Sequence, residues 1–320
     1  MDETCDRLIR VGSRGSALAL RQCGMVCGAI MAANPGVAVR IDVIKTAGDR
    51  QQEWAAAPAA LGPAGGKGIF VKEIEDALLE RRIDAAVHSM KDMPSEIPEG
   101  LRIACVPRRE DPRDVLVAGG GLTFETLPAG AKVGTGSPRR IAQLRHHRPD
   151  LVFVPIRGNV ETRLRKMREG SLDAVVLAAA GLNRLGLMEA GWQPLDGSLS
   201  LPAVGQGALA IEARDEEDWI LGALAKLHHP PTAACVAAER AFLAALGGGC
   251  QIPVAALALL DGGEILLQGV VSDPEGARLL RVEAVALEER PEDAGAEAAR
   301  KAIALGAWEI LAAIRGPAGA

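Results

Sequence analysis

Hydrophobic and polar positions change period repeatedly along the first two-thirds of the chain. "LIRVGS" (8–13) and "VAVRIDVIKT" (37–46) have the pattern of strands. Between them "SALALRQCGMVCGAIMAA" (16–33) is a long apolar helix that ends before Asn34-Pro35-Gly36. "VKEIEDALLERR" (71–82) is an amphipathic helix with Ile74, Leu78 and Leu79 on one side, and "IDAAVHS" (83–89) is a buried strand. Alternation of this kind predicts an α/β layer with helices covering a sheet.

The pattern also repeats. Val71-Lys72-Glu73 through Ile83-Asp84-Ala85-Ala86-Val87 resembles Val160-Glu161-Thr162 through Leu172-Asp173-Ala174-Val175-Val176. Both spans have the same length, and each helix follows a glycine, Gly68 or Gly158. Two similar α/β lobes would form a cleft, the usual place for a small ligand. The C-terminal part reads differently. A helix, "TAACVAAERAFLAAL" (232–246), is followed by strands in "IPVAALALL", "EILLQGVVS" and "ARLLRVEAVAL". Turn signals separate these strands at Asp261-Gly262-Gly263 and Asp273-Pro274-Glu275-Gly276. An alanine-rich helix through "AEAARKAIALGAWEILAAI" closes a small α+β domain with an antiparallel sheet.

With 48% hydrophobic and 24% charged residues, the 320-residue chain is that of a globular protein with material for several cores. No apolar run reaches the length of a membrane span. The beginning, "MDETCDRLIRVGSRGS", has neither the apolar core of a secretory signal nor the acid-poor character of a transit peptide, so a cytoplasmic location is expected. The six cysteines form no CxxC pair, and free thiols in a reducing compartment are expected. Cys23 and Cys27 are placed to share a helix face without the histidines of a zinc site, and their role is left open. The net charge of −5 hides a basic segment: ten Lys/Arg stand against two acids between Lys132 and Arg168, which favours an anionic ligand there.

Several short stretches carry candidate chemistry. "KVGTGSPRRIAQLRHHRP" is a strand, a tight turn and a helix start, with Ser137 as N-cap and Pro138 at the first helical position. Arg139 and Arg140 in that first turn oppose the macrodipole, so an anion site is the reading preferred over a solvated basic face. "PIRGNVETRLRKMREG" adds Arg157 at a strand-to-helix junction and Arg163, while residues 165, 166 and 168 form the wet side. Arginine forks suit carboxylates. Only Phe153 lies in the basic segment, so the aromatic interleaving of a single-strand nucleic-acid binder is missing.

"LGPAGGKGIF" is not a P-loop, although Lys67 in its glycines can bring a mobile charge to a cleft. In "AAVHSMKDMPSE", Lys91 and Asp92 follow a buried strand, where Asp92 is either a general base or charge-holding carboxylate, or a turn cap. His88 reads as a packed strand residue. His146-His147 and His228-His229 lack a metal-like partner set, and no metal is expected. Cys250 in "GGGCQIP" sits after three glycines, either an accessible reactive or modified thiol or a loop cysteine without a role.

Taken together, "SRGSALAL", "GGKGIFVKE", "VHSMKDMP", "GTGSPRR", "IRGNVETRL", "LPAVGQGALAIE" and "GGGCQIPV", in that order, resemble the porphobilinogen deaminase (hydroxymethylbilane synthase) family. The resemblance implies an α/β protein with two lobes like those of type II periplasmic binding proteins and a C-terminal α+β domain. The expected divisions are 1–107 with 206–226, then 108–205, then 227–320. It implies a transferase that condenses four porphobilinogen molecules head to tail, releasing ammonia, and then frees 1-hydroxymethylbilane by hydrolysis. The implied cofactor is dipyrromethane, held by a thioether to Cys250.

By the same resemblance Asp92 is the catalytic carboxylate near the pyrrole nitrogens. Lys91, Ser137, Arg139, Arg140, Arg163 and Arg184 match cofactor-binding positions, and Arg14, Ser16, Lys67, Arg157 and Gln206 match substrate-binding ones. A monomer without nucleic-acid or membrane partners is implied. One departure is Pro63, where many bacterial members carry a second lysine. The rival expectation is a two-lobed module that binds a polycarboxylate without chemistry.

Overall fold

The computed structural model describes residues 7–46, 71–248 and 252–315. The chain forms two compact units, one from the N-terminal part through Arg109 together with Ala208–Ala233, the other from Glu110–Gly207 together with the C-terminal part from Ala234.

The first unit is built on a five-stranded sheet. Its strands are β1 (Arg7–Ser13), β2 (Val37–Val43), β3 (Ala85–Ser89), β4 (Leu101–Cys105) and β10 (Leu209–Arg214), in the order β2-β1-β3-β10-β4. β1 runs parallel to β2 and β3, whereas β10 is antiparallel to both of its neighbours. One face is covered by α1 (Ala17–Ala33) and α6 (Asp218–Ala225), which pack Cys23, Ile30 and Leu224 on Ile9, Val11, Val87 and Ile211. The other face takes α2 (Lys72–Leu79), with Ile74, Ala77 and Leu78 over Ile83, Ala86 and Leu101.

Leu79 departs from the expected stripe, at 47% exposed. At 100° per residue, positions 74, 77 and 78 share one face and 79 turns past its edge, so the small Ala77 takes the buried place.

The second unit repeats this plan with β5 (Asp114–Ala118), β6 (Lys132–Gly134), β7 (Val152–Val154), β8 (Ala174–Ala178) and β9 (Gln193–Pro194), ordered β7-β6-β8-β5-β9. Here β6 runs parallel to β7 and β8, and β5 is the antiparallel member. Each sheet thus borrows its antiparallel strand from beyond the crossover, β10 in one and β5 in the other. The two similar segments seen in sequence fall on equivalent pieces of this plan. They are α2 leading to β3, and α4 (Val160–Arg168) leading to β8. This is the topology of two type II periplasmic-binding-protein-like lobes.

Also in the second unit is the C-terminal domain, an antiparallel sheet β11 (Val254–Asp261), β12 (Glu264–Ser272) and β13 (Leu279–Leu287). One face packs on α7 (Pro230–Ala245) and α8 (Pro291–Ala304), centred on Phe242, Leu267, Ala284 and Ala298. The opposite face meets the second lobe where Leu201 packs on Ala255 and Val270. The final helix is broken, against the single helix expected. Gly306 has φ +98, a conformation left to glycine, and α9 (Ala307–Arg315) starts anew after it. The glycine lets Ala307, Ile310 and Leu311 turn into the core.

Candidate active site

β1 in the first lobe and β6 in the second each run into a short loop that ends on a serine N-cap. In the first lobe Ser16 Oγ accepts from Ala19 N at 3.3 Å, starting α1. In the second, Ser137 Oγ accepts from Arg140 N at 3.5 Å, starting α3 (Pro138–His147). The cap satisfies one of the helix's orphan amides in each case.

The first lobe holds a cavity whose polar lining is Arg14, Ser16, Gln22, His88, Ser89 and Asp92, with Leu18, Ala19, Val71 and Val87 completing the wall. Three expected site residues, Arg14, Ser16 and Asp92, therefore come together. Asp92 ends a one-turn 3-10 helix, Met90–Asp92, directly after β3. Burial of Met90 and a 3.0 Å bond from its amide to Ala208 O hold that turn, leaving Asp92 exposed. Lys91, between them, is half-buried.

Sequence reasoning missed Gln22 and Ser89, whose side chains lie 3.3 Å apart. A glutamine on the same buried face as Cys23, Val26 and Ile30 was the available signal. Cys23 and Cys27 lie in that apolar layer with sulfurs 3.9 Å apart.

The second lobe gathers the expected cations differently. Arg139 and Arg140, each 5% exposed, are drawn onto the fully buried Asp114 at the start of β5. Arg139 Nη1 donates to Asp114 Oδ2 at 2.8 Å and to Leu201 O at 2.6 Å. Arg140 donates to Asp114 Oδ1 through Nε at 3.0 Å and Nη2 at 2.7 Å, and its Nη1 reaches Val176 O at 2.9 Å. Ser200 Oγ donates to Oδ2, and Gln206 Nε2 to Oδ1, both at 2.8 Å.

Burial alone would raise the Asp114 carboxyl, but the charges and hydrogen bonds of the two arginines outweigh it and hold it far below the usual carboxylate range. The residues read as arms toward an anion are thus anchored around an internal acid. An aspartate opening the strand "DVLVA" was the sequence signal for it.

Arg184 is buried near the end of α5 (Ala179–Leu185), where Nη2 donates to Gly207 O at 2.7 Å. That carbonyl belongs to a loop only glycine can form, because Gly207 has φ +88 and a Cβ there would meet Glu110 O at 2.4 Å. Arg163 on α4 donates from Nε to Gly158 O at 2.9 Å. Burial, with the neighbouring charge of Arg140, pushes its guanidinium down to about 10. Among the described residues no carboxylate pairs with it. Arg157 is exposed in the loop before α4. A half-buried, partly desolvated cation without a carboxylate partner among the described residues fits a ligand that brings carboxylates of its own.

Lys67 and Cys250 lie outside the described residues, as does Pro63. Among the described residues no group of His, Cys, Asp and Glu can hold a metal ion, and no helix is long and apolar enough to cross a membrane.

Two family descriptions match the chain: "Porphobilinogen deaminase, dipyromethane cofactor binding domain" over residues 9–221 and "Porphobilinogen deaminase, C-terminal domain" over residues 233–304. The chain is 49% identical over 311 residues to the porphobilinogen deaminase of Moorella thermoacetica, covering 97% of this chain and 98% of that one. It is 50% identical over 275 residues to that of Sorangium cellulosum, covering 86% and 90%. Among solved structures, the periplasmic VFT2 domain of Bordetella pertussis BvgS aligns at a TM-score of 0.40 and 15% identity, covering 69% of this chain and 86% of that one.

The fold supplies two α/β lobes and a C-terminal domain, and the matched families and relatives make the chain a transferase of tetrapyrrole synthesis. The chain belongs to the porphobilinogen deaminase family, and its function is the deaminase reaction on porphobilinogen with dipyrromethane as cofactor.

Proposed function

We propose that this chain acts as a hydroxymethylbilane synthase, extending a primer by four porphobilinogen units and then releasing the linear tetrapyrrole by hydrolysis. The observation that carries the residue assignment is the cavity uniting Asp92 with Arg14 and Ser16 on one lobe. Asp92 is the catalytic carboxylate. Its exposed position at a strand end suits it to hold the positive charge that develops when ammonia leaves a pyrrolic methylene, and to accept the proton released when the new carbon–carbon bond forms. Arg14, Ser16, Lys67, Arg157 and Gln206 bind substrate in this reading, and Lys91, Ser137, Arg139, Arg140, Arg163 and Arg184 bind the cofactor.

Cys250 is the tether, through a thioether. The bound group supplies a terminal pyrrole carbon as nucleophile. The protein's part is to neutralise carboxylates and fix that carbon's orientation. Arg163 is the best placed of the set, because its half-buried guanidinium has no carboxylate partner among the described residues. Arg139 and Arg140 contribute chiefly through the shape and field of the Asp114 centre.

The division into 1–107 with 206–226, 108–205 and 227–320 belongs to the same proposal, as do a cytoplasmic, monomeric state and the absence of nucleic-acid or membrane partners. Intact mass of the purified protein tests the assignment. Two porphobilinogen-derived rings are expected on the wild type and none on Cys250→Ala. An unmodified wild type from cells that make porphobilinogen would contradict it.

A further inference from the structure

One buried polar cluster is not used by the reaction as assigned above. His88 is the fourth residue of β3, just before the turn that carries Asp92, and lines the same cavity. Its Nε2 is 3.0 Å from Oε2 of Glu212 on β10, which is 0% exposed. The antiparallel register sets Ala210 opposite His88 and Glu212 opposite Ala86, so the two side chains meet on a diagonal of the α2 face. Oε1 of Glu212 has no hydrogen-bond partner among the described residues, and neither does the buried Oε1 of Glu75 on α2. Burial, and then the charge of Glu212, pushes the Glu75 carboxyl up.

A wholly apolar trio would cost less here. Replacing buried ionic groups by well-packed hydrophobic ones is often neutral or stabilising. Keeping an imidazole in the wall of the cavity, backed by a fully buried carboxylate with one oxygen unsatisfied, therefore points to use rather than stability.

We propose that Glu212 is a positioning residue for the reacting end of the site, acting through His88. The Nε2–H donates a hydrogen bond to the carboxylate, which fixes the tautomer and plane of the ring and leaves Nδ1 as a hydrogen-bond acceptor. The ligand chemistry that fits this acceptor is a pyrrolic or ammonium N–H, which the substrate carries at the atoms that react. The inference rests on the assignment of Asp92 to the same cavity.

Kinetics of the holoenzyme test it. Glu212→Gln keeps the volume but no longer imposes a tautomer, because an amide offers either a donor or an acceptor to Nε2. It is expected to lower kcat about 10- to 100-fold, by analogy with the loss seen when the partner that orients a metal-bound histidine is removed, with KM and the mass of the bound cofactor unchanged. In a cycle with His88→Asn the losses should not add, the double variant being no slower than His88→Asn alone.

A merely structural Glu212 would lower the melting temperature while leaving kcat per holoenzyme intact. That result, or additive losses, overturns the proposal. If the Gln variant does not fold, Glu212→Leu, which removes the charge without leaving a polar group, provides the same comparison. Asp92→Ala separates the two readings. If it is inactive while Glu212→Gln is normal, only this inference fails. If Asp92→Ala turns over normally, the assignment beneath it fails.

Discussion

Asp114 and Glu212 are both fully buried acids, each on the antiparallel strand of its own sheet, yet they are satisfied in opposite ways. Asp114 receives donors on both oxygens from Arg139, Arg140, Ser200 and Gln206. Among the described residues the Glu212 side chain has one bond, to His88, and no partner on its second oxygen. A buried carboxylate saturated by two guanidiniums is a structural centre, whose removal strands two charges. One left half-satisfied behind a cavity-lining histidine is placed to orient that ring. The same lobe plan thus carries a saturated internal acid in one copy and, in the assignment proposed above, the reacting pocket in the other.

The largest expected effect on folding comes from Asp114→Ala, which leaves two buried arginines without their anion and should cost about 3–5 kcal/mol. Chemical denaturation of the holoenzyme measures it, and a loss below about 1 kcal/mol, the range of an exposed ion pair, would make the centre no more than a surface pair. The sign of its pH dependence follows from its depressed carboxyl. Its contribution is complete above the unfolded value of about 3.9 and is lost as pH falls from there toward the folded one. Wild-type stability should therefore drop more steeply on acidification than that of Asp114→Asn.

The first lobe should behave oppositely, on a smaller scale. Because Glu75 is pushed up by burial and by Glu212, the stability it allows is present below its unfolded value of about 4.3 and is lost as pH rises through the folded one. Glu75→Gln should gain on the wild type over that rise, as followed by thermal melts between acidic and neutral pH. A parallel pH response in both lobes would remove the contrast. Smallest are the two caps. Ser137→Ala and Ser16→Ala are each expected to cost about 1 kcal/mol, with Ser137 the more consequential for cofactor loading because its helix carries Arg139 and Arg140.

Much of this plan was legible along the chain, for physical reasons that differ by region. The matching segments at 71–87 and 160–176 showed the duplicated lobe because the helix before the third strand and that strand's buried face impose the same pattern twice. Ser137 was readable as a cap because the cap is a local interaction. Asp114 and Glu212 were not, since their partners lie 25 to 124 residues away in sequence. A charged residue in an apolar strand signals only that something must satisfy it. The break at Gly306 was missed because apolar periodicity continues across it, and only the turn into the core requires its φ. Arg139 and Arg140 were seen as cations near a helix start, but local sequence could not show that an internal acid already held them.

The most direct test of the account is turnover by Asp92→Ala holoenzyme whose cofactor mass has been confirmed. Loss of a positioned carboxylate that handles charge and proton should lower kcat about 10²–10⁴-fold while the cofactor remains attached. A variant that retains the cofactor and turns over porphobilinogen within about threefold of the wild type, less than the smallest effect of a working general acid–base group, would contradict it.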